Sequence, residues 1–382
     1  MNAQNGAGGP GPADSLDDRL AALPLRDDLR GRTPYGAPQL DVAVRLNVNE
    51  NPFAPSADLV EDLARAVAEA AHGLNRYPDR DATALRADLA SYVRAREGVD
   101  LGAEAVWAAN GSNEVMLQLL QAFGGPGRTA LGFTPTYSMY PDYCRDTFTD
   151  YVTAERADDF SLDAARAAEA VARLRPDVVL LASPNNPTGT ALALDVVEAV
   201  LAAGPGLVIV DEAYAEFRRP GGPSALTLLG GDPRLVVTRT MSKAFAFAGA
   251  RVGYLAADPA VVAAVQLVRL PYHLSALTQA AARTALAHAA DLLAGVDLLR
   301  AERDALVDWL RAQGLEVADT DANFALFGRF ADRHAVWRGL LNRGVLIRET
   351  GPEGWLRVSV GAPEENQAFR TALVATLGEI QA

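Results

Sequence analysis

The chain has 382 residues, 49% of them hydrophobic, with 48 acidic against 35 basic side chains and a formal net charge of −13. That length exceeds what a single core grows to, so two lobes are expected, and the apolar content excludes general disorder. The acidic balance, with no basic stripe to offset it, argues against nucleic acid; the one cysteine, Cys144, excludes an internal disulfide; and His72, His273, His288 and His334 show no ligand spacing, so no metal is expected.

Residues 1–14 are rich in Gly, Ala and Pro and are expected to form a disordered tail. Gly6, Gly8 and Gly11 match the GxGxxG pattern, but no strand precedes them and Pro10 and Pro12 interrupt them, so dinucleotide binding is not expected there. No basic segment followed by an apolar one opens the chain, and no run of about 18 uncharged apolar residues occurs, so a cytoplasmic chain that does not span a membrane is expected. Residues 15–55 carry weak periodicity and two turn-rich stretches, Tyr35-Gly36-Ala37-Pro38 and Asn47-Val48-Asn49-Glu50-Asn51-Pro52, and read as an N-terminal arm that contributes to a smaller lobe. Ser56 can cap a helix with Leu59, Val60, Leu63 and Val67 on one face. A second helix over 82–97 turns Leu85, Leu89, Tyr92 and Val93 inward and stops at Gly98. Between them lies the polar loop Asn75-Arg76-Tyr77-Pro78-Asp79.

From about residue 104 the pattern becomes strand, loop, helix, repeated. Strands are predicted over 105–109, 129–133, 148–153, 177–182, 206–210, 234–239 and 251–256, with helices over 113–123, 163–174 and 194–203. This predicts an α/β fold with a mostly parallel seven-stranded sheet flanked by helices, its ligand crevice beyond the carboxyl ends of the strands. A helix over 258–269 and a long helical region over 276–312, broken near Gly295, follow; strands over 323–328, 344–348 and 355–360 and helices over 332–342 and 363–379 then make a smaller α+β C-terminal lobe. The expected division is thus tail 1–14, arm 15–55, large domain 56–285 and small domain 286–382.

Of all the basic residues only Lys243 is a lysine. A chain that uses Arg wherever a positive charge will serve keeps Lys where a guanidinium fails: a desolvated amine can lose its proton and condense with an aldehyde. Four motifs at strand ends fit one ligand around it. In Asn110-Gly111-Ser112-Asn113-Glu114 the amides and the Ser112 hydroxyl suit a phosphate at a helix N-terminus, although such turns are often only caps. Ser183-Pro184-Asn185-Asn186-Pro187-Thr188-Gly189 is either a turn or a rigid Asn donor for a phenolate oxygen. Asp211, at the end of an apolar run, needs a partner when buried, either a protonated pyridine nitrogen or a metal. Ser242 and Arg251 could complete the phosphate site, unless Arg251 is simply an ion-pair partner. A phosphate cradle, a phenolate donor, a pyridinium partner and an imine-forming Lys together describe pyridoxal 5′-phosphate. Tyr137 offers an aromatic face for the ring, although a lone Tyr is more often part of a core.

From about residue 33 to its end the chain resembles the fold-type I aminotransferases, and among them the histidinol-phosphate aminotransferases. The resemblance is carried by LNVNENPFAPS, NRYPD, NGSNE, PTYSMYP, SPNNPTG, VDEAYAEF, TMSKAFAFAGARVG, RLPYHLSALTQAA and WLRVSVG. It implies that Lys243 bonds covalently to pyridoxal 5′-phosphate, that Asp211 pairs with the ring nitrogen, that Asn186 and Tyr214 hold the ring hydroxyl oxygen, and that Tyr137 stacks. Ser112, Asn113, Ser242 and Arg251 would take the phosphate; Asn113 stands where many members have Asp, so its backbone amide is the expected contact. Tyr77 would reach the phosphate of the other subunit of a homodimer. Arg357, with Arg348 and Tyr35, would grip the anionic group of the substrate. The activity implied is transamination of L-histidinol phosphate with 2-oxoglutarate. Its alternatives are an aromatic amino-acid aminotransferase, a phosphothreonine-type decarboxylase or a non-catalytic regulator on the same scaffold.

Overall fold

The computed structural model describes residues 16–381, so the expected tail over 1–14, with its glycine pattern, lies outside the described residues. The chain forms two compact units, one ending at Pro38 and one beginning at Gln39. The first contributes a short helix, Leu16–Ala21, and a single turn, Asp27–Leu29, around which Arg26 pairs with Asp28 and Arg30 with Asp27.

The second unit is built on a seven-stranded sheet. After a two-residue strand β1 (Val44–Arg45), its members are β2 (Val106–Ala109), β3 (Thr129–Thr134), β4 (Asp150–Glu155), β5 (Val178–Ala182), β6 (Leu207–Asp211), β7 (Leu235–Thr240) and β8 (Gly253–Ala257). They lie in the order β2-β8-β7-β6-β5-β3-β4, all parallel except β8, which runs antiparallel to both neighbours. Six of the strands are apolar along most of their length because both faces are covered. Val208 and Val210 face one core and Leu207 and Ile209 the other, and alternation along β5, β7 and β8 divides in the same way. The seventh, β4, lies at one edge of the sheet and mixes exposed with half-buried positions.

The predicted helices appear as Ala57–Ala71, Thr83–Glu97, Ser112–Phe123, Ala164–Leu174, Leu194–Ala203 and Pro259–Val268. Ser56 Oγ accepts from the Leu59 amide, and Gly98 closes the second helix at φ 71°. Two expectations need correcting. Val60 is 52% exposed; lying one residue past the buried Leu59, it is turned about 100° away around the helix. The region 276–312 breaks at His288, giving Ala276–Ala287 and Ala289–Ala312, and Gly295 is inside the second helix. A Cβ on Gly295 would sit 3.1 Å from the Phe53 ring, so that glycine serves close packing and not termination.

The C-terminal part carries β9 (Glu316–Val317), β10 (Phe324–Gly328), β11 (Val345–Leu346) and β12 (Trp355–Ser359). β12, β10 and β9 form an antiparallel sheet, and β11 pairs in parallel with β1 from the arm. Helices Arg333–Asn342 and Pro363–Gln381 pack beside them. The strand predicted over 344–348 is reduced to two paired residues, with an isolated bridge from Arg348 to Arg357 beyond it. The helix Tyr140–Asp146 and strands β1 and β9 were not anticipated; they are short and carry little periodicity.

Candidate active site

Because β2, β3, β5, β6 and β7 all run the same way, the segments that leave them meet at one edge of the sheet. β8 runs backwards, so its entry, next to Arg251, reaches the same edge. Lys243 lies three residues past β7, in the loop that turns back to β8. Its Nζ donates to the Val48 carbonyl at 2.9 Å and lies 5.9 Å from the centre of the Tyr214 ring. The residue keeps some accessible surface, but its amine is desolvated. That burial, with the neighbouring Arg357 charge, brings the amine down to about 8, against the opposing pull of Glu50. An appreciable neutral fraction near neutral pH is what a nucleophilic or proton-transferring amine requires.

Asp211 closes β6 and is 7% exposed. Oδ2 accepts from the Tyr140 hydroxyl at 3.1 Å, while Oδ1 accepts from Thr238 Oγ1 and the Ala213 amide, each at 3.3 Å. These neutral donors do not offset the loss of water, and burial pushes the carboxyl up to about 6. Such a carboxylate is suited to a cation brought by a ligand. Tyr140, fully buried, is held well above the usual tyrosine value by burial and by Asp211, so it stays the donor. The half-buried Tyr137 meets Tyr140 edge-on at 5.6 Å.

On the opposite face of the same strand ends lies a charge cluster. Arg239, 1% exposed, pairs with Glu97, Glu212 and Glu216 at 2.6–3.0 Å, and Arg218 pairs with Glu97. Glu212 and Arg239 directly follow Asp211 and Thr238 on the two strands. The pairing that satisfies these buried charges therefore also fixes β6 against β7 where Asp211 emerges.

At the other end of the site, Gly111 takes φ 81° ahead of the helix Ser112–Phe123, and a Cβ there would lie 2.6 Å from an Arg251 guanidinium nitrogen. Arg251 donates to Ser242 Oγ at 3.2 Å and to the Ala248 carbonyl at 3.0 Å, and among the described residues no carboxylate pairs with it. Gly253 brings β8 so close that a Cβ on it would be 2.2 Å from the Ser112 amide nitrogen. Ser112, Ser242 and Arg251 are thereby drawn together at a helix N-terminus, with the exposed Asn113 next in line. The result is an anion cradle of backbone amides, hydroxyls and an exposed guanidinium.

The arm supplies what sequence reasoning did not foresee. Asn47, Val48, Asn49 and Asn51 thread through the site: Arg357 donates to Asn47 O at 2.9 Å, Asn49 Nδ2 to Tyr214 Oη at 3.0 Å and Asn51 Nδ2 to Ala244 O at 3.2 Å. The signal was present in the density of amides in Asn47–Asn51, which turn residues alone do not explain. Arg357 also donates to Asn186 Oδ1 at 2.7 Å, which leaves the Asn186 Nδ2 as the donor side of that amide. Asn185, by contrast, is occupied by Thr188 of its own loop and by Thr136 and the Pro135 carbonyl of the segment after β3. Arg348 and Arg357 exchange both backbone hydrogen bonds at 3.0 Å, so they stand directly opposite each other on adjacent backbones. Tyr77 is 79% exposed, stacked on Tyr272 at 4.3 Å. Tyr35 belongs to the N-terminal unit and is 53% exposed. Among the described residues, no three His, Cys, Asp or Glu side chains come together in a metal-binding group, and no helix is long and apolar enough to cross a membrane.

The sequence pattern described as "Aminotransferase class I and II" matches residues 41–373. A protein of Thermobifida fusca named histidinol-phosphate aminotransferase is 65% identical over 364 residues, covering 95% of this chain and 97% of that protein. One of Burkholderia lata named histidinol-phosphate aminotransferase 3 is 62% identical, covering 93% and 96%. Among solved structures, the histidinol-phosphate aminotransferase of Sinorhizobium meliloti in complex with pyridoxal-5′-phosphate superimposes with a TM-score of 0.77 at 25% identity, covering 89% of this chain and 92% of that one. With the strand-end geometry described above, these matches lead to one conclusion: the chain belongs to the class I and II aminotransferases and has their fold-type I architecture.

Proposed function

We propose that this chain is a cytoplasmic, homodimeric histidinol-phosphate aminotransferase that uses pyridoxal 5′-phosphate to move the amino group of L-histidinol phosphate to 2-oxoglutarate. The observation that carries the reading is the placing of Lys243, Asp211 and the Arg251 cradle at one sheet edge. That edge holds a desolvated amine, a buried carboxylate without a cation, and a ring of anion donors. The two relatives with 62–65% identity support the choice of substrate.

The cofactor, when bound, supplies an electron-accepting pyridine ring and an aldehyde carbon. Ser112, Asn113, Ser242 and Arg251 hold its phosphate, and Tyr77 serves the site of the other subunit. Asp211 keeps the ring nitrogen protonated. Asn186 Nδ2 and the Tyr214 hydroxyl hold the ring oxygen, and Tyr137 covers the ring face. Lys243 Nζ would take the proton from the substrate Cα as base and, as acid, return it to the carbon on the far side of the nitrogen. Histidinol phosphate carries a phosphate ester and glutamate a carboxylate, so one pocket has to take both anions. Arg348 and Arg357 provide the donors. The expected domain boundaries, an arm to residue 55 and a small domain from 286, belong to the same reading.

The test is steady-state transamination by the purified protein. Turnover with histidinol phosphate and 2-oxoglutarate, well above that with phenylalanine, is expected. Preference for phenylalanine, or release of carbon dioxide, would overturn the substrate assignment. K243R should abolish both turnover and the visible absorbance of the bound cofactor although it keeps the charge; retained turnover would overturn the role of Lys243.

A further inference from the structure

Asn49 has a backbone φ of 57°, in the left-handed region that Asn tolerates better than most residues, and is 1% exposed. It is a junction of three parts of the fold. Its amide nitrogen donates to Ser359 Oγ at 2.8 Å, and the Ser359 hydroxyl donates back to Asn49 Oδ1 at 2.9 Å. Its carbonyl accepts from Asn323 Nδ2 at 3.2 Å. Its remaining group, Nδ2, donates to Tyr214 Oη at 3.0 Å.

The chemistry of that last bond is directional. An amide NH2 can only donate, so the Tyr214 oxygen is the acceptor and its own proton has to go elsewhere. A phenol that accepts a hydrogen bond also becomes a stronger donor through its proton. Ser359 is two residues from Arg357 on β12, so the two share one side of the strand, and Ser359 holds the amide in the orientation that puts Nδ2 towards Tyr214. We propose that Asn49 is a positioning residue. It reserves the Tyr214 proton for the ring oxygen of the bound cofactor, and through Ser359 it ties that setting to the strand carrying the substrate-gripping Arg357. The inference rests on the function proposed above.

The test is a double-mutant cycle at Asn49 and Tyr214. It is read as the pH midpoint of the cofactor's visible absorbance, with excess pyridoxal 5′-phosphate and no substrate. N49D preserves shape but replaces the donor by an acceptor, which captures the Tyr214 proton and leaves the ring oxygen's negative charge less stabilised. Its midpoint should rise by about half a unit or more. Y214F should raise it at least as far, and N49A/Y214F, which brings in no charge of its own, should match Y214F. A midpoint in N49D equal to that of the unmodified protein would overturn the inference. So would an N49A/Y214F variant shifted beyond Y214F by the N49A increment, since a merely structural role adds independently. If N49D does not fold, N49A gives the single-variant shift in the same expected direction. An unmodified protein that takes up no colour from the cofactor would instead overturn the proposed function itself.

Discussion

Asp211 offers a measurement in which the cofactor site can be weighed without any catalysis. Burial lifts its carboxyl from 3.8 to about 6 in the folded chain. At about 1.4 kcal/mol per unit, keeping Asp211 ionised costs the cofactor-free protein about 3 kcal/mol of folding stability. The folded state binds the proton more tightly than the unfolded one. The stability this confers is therefore full below pH about 3.8 and is lost as pH rises through about 6. D211N carries no titrating group and escapes the loss. The unfolding free energy of cofactor-free D211N, minus that of the unmodified protein, should therefore rise with pH. It should gain about half of the 3 kcal/mol by pH about 5 and level off above pH about 7. Urea denaturation of both proteins at pH about 5 and about 8 measures this. The direct effects of the amide on Tyr140 and Ala213 are independent of pH and cancel in the comparison. Adding pyridoxal 5′-phosphate should reverse the order, because a ring cation stabilises the carboxylate and not the amide. A difference that does not change between the two pH values would refute the claim that Asp211 is a strained anion awaiting a cation.

Three further outcomes follow from contacts at the same edge. R357A removes charged donors and should raise KM for histidinol phosphate and for 2-oxoglutarate together, by about 10- to 100-fold each, on the usual worth of charged hydrogen bonds; steady-state kinetics with each substrate varied checks this. G253A places a Cβ against the Ser112 amide and the Gly111 backbone, an overpacking of about 1–3 kcal/mol at the cradle, and equilibrium dialysis should show cofactor affinity falling about tenfold or more. R239L leaves Glu97, Glu212 and Glu216 buried without their shared cation and should cost about 3–5 kcal/mol, seen as a large drop in thermal midpoint.

What could be read from the sequence and what could not divide along a physical line. The sheet was legible because strands covered on both faces must be apolar throughout. Leu207–Asp211 and Leu235–Thr240 announce themselves in a few residues, and the polar residues that follow such runs are placed by the rule that parallel strands end together. That rule singled out Asp211 and Arg251, while Lys243 stood out as the single lysine among the basic residues, and the structure brings the three to one edge of the sheet. Gly295 misled because a glycine in a helix reads as a stop, whereas its role here depends on Phe53, some 240 residues earlier in the chain. Tyr140 and Asn49 were missed for a related reason: neither lies at a strand end, and each matters only through a partner far away in sequence, Asp211 for one and Tyr214 and Ser359 for the other.

That pattern says something about how the site is assembled. The groups proposed to meet the cofactor come largely from local strand-end geometry, which the large sheet supplies by itself. The groups that set their hydrogen-bonding direction come from the arm, Asn47 to Asn51, and from β12, and they reach the site only when distant parts of the chain have docked. Val48 O holds the Lys243 amine, Asn47 O holds Arg357, and Asn49 holds Tyr214, so one short segment touches in turn three side chains proposed to serve the reaction. The fold of the large sheet alone would therefore provide the binding groups without their orientation. On the proposed reading, displacing the arm should lower activity, because a donor pointed the wrong way in a water-poor site is not merely idle but leaves a buried polar group unsatisfied.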